Sequence, residues 1–104
     1  ECVSLFQVND NAQVSVHGHL DRDTLSKNFF ESLTSSQSAI LAKAGTCCID
    51  LGDVERVDSA GLAWILNAIR DGKREGINVS LRELPEKLRK LAKISDVDGF
   101  LPVE

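Results

Sequence analysis

The segment Asp58-Ser59-Ala60-Gly61-Leu62 carries the residue types best suited to chemistry or recognition. It follows a short apolar run and precedes an amphipathic stretch, so it belongs where a strand turns into a helix. A helix start presents unpaired N–H groups and the positive end of the helix dipole. Asp58 or Ser59 can cap these groups, and a phosphate on Ser59 would be stabilised there. Ala60 and Gly61 lack bulk, so we expect a partner protein to be able to approach the backbone closely.

Histidine and cysteine are the other residues to weigh as ligands or nucleophiles. His17 and His19 are two apart and are predicted to share one face of a strand, but two ligands do not complete a tetrahedral site, so we predict no metal. Cys2, Cys47 and Cys48 make an odd count without C-x-x-C spacing. We therefore expect small apolar filler, with the adjacent Cys47 and Cys48 on opposite faces of a strand.

Signatures of catalysis and cofactor binding are missing from the sequence. It holds no phosphate-binding loop, no dinucleotide-binding G-x-G-x-x-G and no G-x-S-x-G nucleophile turn. Ser59 has no local base, and nothing positions a substrate near Asp21, Asp50 or Asp58. We predict a protein that is not an enzyme and that uses no cofactor.

Length and charge limit the number of domains and the kinds of partner that the sequence predicts. The 104 residues predict a single domain, 1–104, with a formal net charge of −4. Residues 70–93 hold eight basic and four acidic side chains, a net +4, which leaves −8 for the rest. The acidic total argues against nucleic acid as the main partner. The basic stretch is predicted to be a solvated helix face, with contact to a membrane surface or an acidic partner as the alternative.

Membrane insertion and export are not indicated by the sequence. No apolar run approaches the roughly 18 residues needed to cross a bilayer. The first 20 residues lack the basic start of a signal peptide. A cytoplasmic location is the simplest expectation.

The N-terminal half predicts a hairpin and then a helix. Residues 3–8 and 13–17 carry β-branched side chains around a turn at 9–12. Leu25, Phe29 and Leu33 form one helical stripe, which predicts a helix that opens with Asp23 as its N-cap. Residues 34–38 have the composition of a loop, and the Ala-rich 39–44 either continue the helix or begin another.

The C-terminal half predicts alternating strands and helices. Residues 47–51 suit a buried central strand, and a helix follows over about 60–75 until Gly76 ends it. Residues 77–81 alternate as a strand, and Pro85 suits the first position of a last helix. Residues 97–103 are expected to add a short edge strand. This order predicts an α/β fold with a mostly parallel sheet and an antiparallel N-terminal edge, with helices packed on it.

The predicted helix over 60–75 divides into two faces. Residues 62, 65, 66 and 69 repeat at helical spacing and are expected to face the sheet. Trp64 then lies on the opposite, exposed face, where large apolar groups tend to mark contacts; the alternative is that it packs under a neighbouring loop. The alternative role for Ser59 is to cap the N-terminus of the helix without contacting a partner. The predicted partner-binding residues are Asp58, Ser59, Ala60, Gly61, Trp64, Asn67 and Asp71.

The same residues resemble the STAS domain family, the sulfate-transporter and anti-sigma-factor-antagonist domains. Residues 16–21 are similar to the family's x-G-x-L-D strand ending, and 49–51 to its central strand. Residues 58–62 resemble its D-[ST]-x-G-L signature, and the likeness covers nearly the whole chain. The resemblance implies a small α/β sandwich.

Two branches of the family imply different partners. In one, the domain is the cytosolic accessory subunit of a phospholipid-trafficking ABC transporter, binds its ATPase subunit and supports outer-membrane lipid asymmetry. Residues 48–51, 61–63, 76–81 and 91–93 look closer to this branch, which would hold the chain at the cytoplasmic face of the inner membrane through its partner.

In the other branch, the anti-sigma-factor antagonists, a partner kinase phosphorylates the residue that matches Ser59. The transporter branch tends to carry Thr then Gly where this chain has Ser59-Ala60, a pair that looks more like the antagonists. A third interpretation, a detached domain of an anion transporter, is disfavoured by the lack of a membrane segment. The preferred expectation is docking on an ABC transporter ATPase subunit, and the alternative is a switch at Ser59 set by an anti-sigma factor kinase.

Overall fold

The computed structural model of the chain describes residues 5–25 and 27–103. A four-stranded sheet runs in chain order, β1 to β4, and three helices connect or follow its strands. The strands are β1 Phe6–Val8, β2 Gln13–Leu20, β3 Thr46–Val57 and β4 Asn78–Arg82. The helices are α1 Ser35–Ala44, α2 Ser59–Arg74 and α3 Glu86–Ile94, with 3-10 turns at Phe30–Ser32 and Asp98–Phe100.

Strand directions confirm the predicted fold class. β1 and β2 pair antiparallel as the expected hairpin, whereas β2 with β3 and β3 with β4 pair parallel. Parallel neighbours require crossover connections, which α1 and α2 supply. Cys2, which was predicted to be apolar filler, and Val3 and Ser4, which were predicted to begin the first strand, lie outside the described part of the chain.

One face of the sheet forms the core. Cys47, Ile49 and Leu51 of β3 are fully buried, while Cys48 and Asp50 between them are half-buried on the other face. This alternation confirms that the adjacent cysteines point to opposite sides. Burial in the apolar layer, aided by the neighbouring thiol of Cys48, raises the pKa of the Cys47 thiol to about 12.

The first predicted helix is wrong in position. Residues 23–25 and 27–29 form turns, a bend and irregular backbone, and α1 begins only after Thr34, which replaces Asp23 as the N-cap. Thr34 Oγ1 accepts from the backbone N–H of Gln37, and the Gln37 side chain accepts from the N–H of Thr34. Because this capping box fixes the helix start, 39–44 belong to a new helix, which was one of the two alternatives.

The ends of the other helices and strands differ slightly from the predicted ends. α2 ends next to Gly76, whose φ of +75° suits the predicted C-terminal glycine. Pro85 is the N-cap of α3 and not its first residue. β3 continues to Val57, past the predicted end at residue 51, because it still pairs with β2 there. The expected last strand reduces to a single parallel bridge between Leu81 and Val103.

Candidate functional site

Asp58 is the residue that joins the end of the sheet to α2. Its Oδ1 accepts from the backbone N–H groups of Ala60 at 2.9 Å and Gly61 at 3.2 Å, so Asp58 is the N-cap. Its Oδ2 accepts from the backbone N–H of Arg22 at 3.4 Å. Its own N–H donates to the carbonyl oxygen of Leu20 at 3.1 Å. One carboxylate therefore fixes both the helix start and the segment that follows β2.

Gly61 is buried, which corrects the expectation that its small size serves a partner. A Cβ at this position would collide with the Leu20 carbonyl oxygen and lie 2.7 Å from Val57 Cγ2. Gly72, about three turns on, has the same role, since a Cβ there would lie 2.5 Å from Val79 Cγ2. The missing side chains allow α2 to pack directly on the strands.

Close packing through these glycines sets the rotation of α2. The buried residues of the helix are Gly61, Leu62, Trp64, Ile65, Ala68 and Gly72. Leu66 and Ile69, predicted to face the sheet, are only half-buried, whereas Ser59, Ala63 and Arg70 are exposed. The buried face is thus rotated toward Gly61, Ala68 and Gly72, small residues that a prediction from large apolar side chains leaves out.

Trp64 is the clearest consequence of that rotation. Only 3% of it is exposed, so the prediction of an outward-facing ring is wrong and the alternative of a covering loop is right. Its ring meets that of Phe29 edge-on at 5.7 Å and that of Phe6 at 6.3 Å between centroids. Its Nε1–H donates to the carbonyl oxygen of Lys27 at 3.0 Å. Trp64 supports the segment above it and has almost no surface to offer a partner.

Asn67 and Asp71 lie farther along the same side and are half-buried. The Asn67 side chain donates to Asn28 Oδ1 at 3.3 Å. The Asp71 carboxylate, 17% exposed, is 3.4 Å from Arg70 Nε and 4.0 Å from an Arg74 nitrogen. Both residues therefore have intramolecular partners as well as a remaining accessible edge.

The accessible part of the predicted site is smaller than expected and includes residues that the sequence analysis missed. Ser59 is exposed as the first residue of α2, and Ala60 behind it is half-buried. Ala63 continues this exposed side one turn on. Beside it a groove of about 260 Å³ separates α2 from residues 25 and 27–31. A helical count based on Gly61, Ala68 and Gly72 would have identified Ala63.

The polar side chains nearby pair separately and do not converge. His17 Nδ1 lies 3.5 Å from an Asp53 carboxylate oxygen, and His19 Nδ1 lies 3.9 Å from one of Asp21. The hydrogen bond from the Thr24 hydroxyl is the main cause that lowers the pKa of Asp21. Within the described ranges, no three His, Cys, Asp or Glu side chains form a group that could hold a metal ion. Nor is any helix there long and apolar enough to cross a bilayer.

Comparison with known proteins identifies the family. The family model described as "Mlab, STAS domain" matches residues 4–102. The chain belongs to the STAS domain family. It is 37% identical over 94 residues to the intermembrane phospholipid transport system binding protein MlaB of Escherichia coli K12, covering 90% of this chain and 88% of that protein. The protein of the same name from Shigella flexneri matches equally well, with the same identity over the same length.

The solved structures agree at the level of the fold. The anti-sigma factor antagonist SpoIIAA in its unphosphorylated form superposes with a TM-score of 0.61, over 95% of this chain and 87% of that one. The sequence identity is 17%, so this likeness shows a shared STAS fold and carries nothing about partners.

Proposed function

We propose that this chain is the STAS subunit of an ABC phospholipid transporter. In this role it binds the ATPase subunit at the cytoplasmic face of the inner membrane, performs no catalysis itself and supports the lipid asymmetry of the outer membrane. The observation that carries the proposal is the 37% identity to the MlaB proteins across 90% of the chain. Those relatives are named as binding proteins of an intermembrane phospholipid transport system.

The exposed start of α2 is the surface that suits this docking best. Ser59 and Ala63 are exposed, Ala60 is half-buried, and none of them has a bulky side chain, so a partner can come close to the helix backbone. Asn67 adds a half-buried amide beside them, and Asp71 adds a charge at the far end. Asp58, Gly61 and Trp64 hold this surface in place from beneath.

Binding of the purified chain to the purified ATPase subunit of the same transporter tests the proposal. Ser59→Glu places a charge in the contact and should weaken binding about tenfold or more, the loss of a central contact worth over about 1.4 kcal/mol. A negative charge at a helix start favours the fold, so the loss would not arise from unfolding.

Ser35→Glu is the matched control for that experiment. Ser35 is also an exposed serine at the first position of a helix, but it lies on α1. The control should bind like the unmodified chain. Equal binding by Ser59→Glu and the unmodified chain would remove Ser59 from the contact.

A second candidate function is favoured by the exposed hydroxyl of Ser59. A phosphate there would sit at the helix N-terminus, where backbone N–H groups and the dipole stabilise it. In this alternative the chain is an anti-sigma factor antagonist that a partner kinase switches by phosphorylation. Mass spectrometry of the protein from cells under several growth conditions tests it, since unmodified Ser59 under every condition would count against a switch.

A further inference from the structure

The groove beside α2 has two walls, and only one of them includes a residue of the family signature at 58–62. Ala60, Ala63 and Asn67 line it from the helix, and Lys27, Asn28 and Glu31 line it from the segment after β2. Its volume of about 260 Å³ is of the size of one large side chain rather than of a drug-sized ligand. The groove is therefore large enough to hold one anchor residue of another protein.

Two hydrogen bonds hold the second wall against the helix, and a third holds the chain just before that wall. The backbone N–H of Arg22 donates to Asp58, the Trp64 indole donates to the carbonyl oxygen of Lys27, and the Asn67 amide donates to Asn28. Phe29 adds a fully buried ring beneath the segment. Because the wall is already fixed by these contacts, a partner would lose little free energy in ordering it.

The chemistry along the groove is apolar in the middle and charged at the rim. Ala60 and Ala63 contribute methyl groups on the helix side. Lys27 and Glu31 are both exposed, and in the described part of the chain neither belongs to an ion pair. Such an arrangement suits an apolar anchor surrounded by charged groups of opposite sign on the partner.

We propose that residues 25 and 27–31 form the second half of the docking surface. A helix of the ATPase subunit inserts one large apolar side chain between Ala63 and this segment, with an acidic group facing Lys27 and a basic group facing Glu31. The inference rests on the proposed function, because it names how the same partner is held. It adds Lys27 and Glu31 as determinants of specificity outside the signature at 58–62.

Filling the groove is the first test. Ala63→Leu adds a side chain that helices accept well and that occupies the space of the anchor, so the affinity for the ATPase subunit should fall about tenfold or more. Ala39→Leu makes the same change at an exposed position of α1 and should leave the affinity unchanged. Circular dichroism should show equal helix content in both variants.

Changing the rim charges is the second test. Lys27→Glu should weaken binding about two- to fivefold and flatten its dependence on ionic strength, as expected for an exposed charge contact. Glu31→Gln removes the charge but keeps the oxygen that accepts from the N–H of Asn28, and it should act in the same direction. Lys43→Glu on α1 controls for net charge.

The outcomes separate the two proposals. If the unmodified chain does not bind the ATPase subunit, the proposed function is wrong and this inference falls with it. If the unmodified chain binds but Ala63→Leu and Lys27→Glu bind as tightly as their controls, the proposed function stands and the second wall is wrong. Loss of binding in both groove variants, with the controls unaffected, supports the inference.

Discussion

Gly61 tolerates less change than any exposed residue of its segment. Gly61→Ala would place a methyl group against the Leu20 carbonyl oxygen and the Val57 side chain, so α2 would have to move away from the sheet. Overpacking of this kind costs about 1–3 kcal/mol, which urea unfolding would measure. Gly99→Ala is the control, because a Cβ there meets nothing within 4 Å. Equal stability of the two variants would contradict the close packing described for α2.

The Asp58 carboxylate joins two parts of the chain, so its removal should be costly. Asp58→Ala loses the cap on Ala60 and Gly61 together with the bond to Arg22, and we expect a loss of about 1–2 kcal/mol of unfolding free energy. Asp58→Asn retains a capping oxygen and should recover most of it. Thermal unfolding of both variants checks this, and equal losses would show that the charge matters more than the cap.

The Cys47 thiol predicts a dependence of stability on alkaline pH. Its pKa is raised from 9.0 to about 12 in the folded protein, so between these values the unfolded chain ionises while the folded chain stays neutral. Stability should therefore fall as pH rises through this window. Urea unfolding at about pH 8 and about pH 10 should show a larger loss for the unmodified chain than for Cys47→Ala. Identical pH dependence would contradict a buried, neutral thiol.

At the level of elements, the segment after β2 depends on α2. Trp64→Phe keeps an aromatic ring beside Phe29 but removes the donor to the Lys27 carbonyl oxygen. Residues 27 and 28 should then loosen and the chain should bind the partner less well, while α3 is unaffected. Amide hydrogen exchange should show faster exchange at residues 27 and 28 and unchanged exchange at 88–94. Unchanged exchange at 27 and 28 would show that the indole bond is not what holds the segment.

These elements also show how far sequence alone can go. The short apolar run at 47–51 and the alternation of residues 77–81 predicted β3 and β4 correctly, because a buried strand needs apolar side chains and a half-buried one repeats with a period of two. The spacing of Leu25, Phe29 and Leu33 predicted a helix in the wrong place, because an irregular loop can bury side chains at the same spacing. The capping box at Thr34 makes the helix start later in the chain. The prediction for Trp64 failed for a different reason: the close approach of Gly61 to β2 and β3 and of Gly72 to β4 sets the rotation of α2.

At the scale of the whole molecule, the fold and the helix start at Asp58 and Ser59 were predictable, but the exposed surface was not. The order of the elements along the chain, the antiparallel N-terminal edge and the position of Asp58 and Ser59 at a helix start follow from local patterns. The groove beside Ala63 forms only where residues 25 and 27–31 meet α2, a contact between segments more than thirty residues apart. Contacts between segments so far apart in sequence cannot be predicted from hydrophobic periodicity or from turn composition.

The proposed role as a transporter subunit can be tested in the cell. The tagged chain is purified from its native cells, and the proteins that accompany it are identified. An ABC transporter ATPase and its membrane permease should accompany the unmodified chain, and both should be lost when Ser59→Glu replaces it. Recovery of an anti-sigma factor kinase without any ATPase would contradict the proposed role.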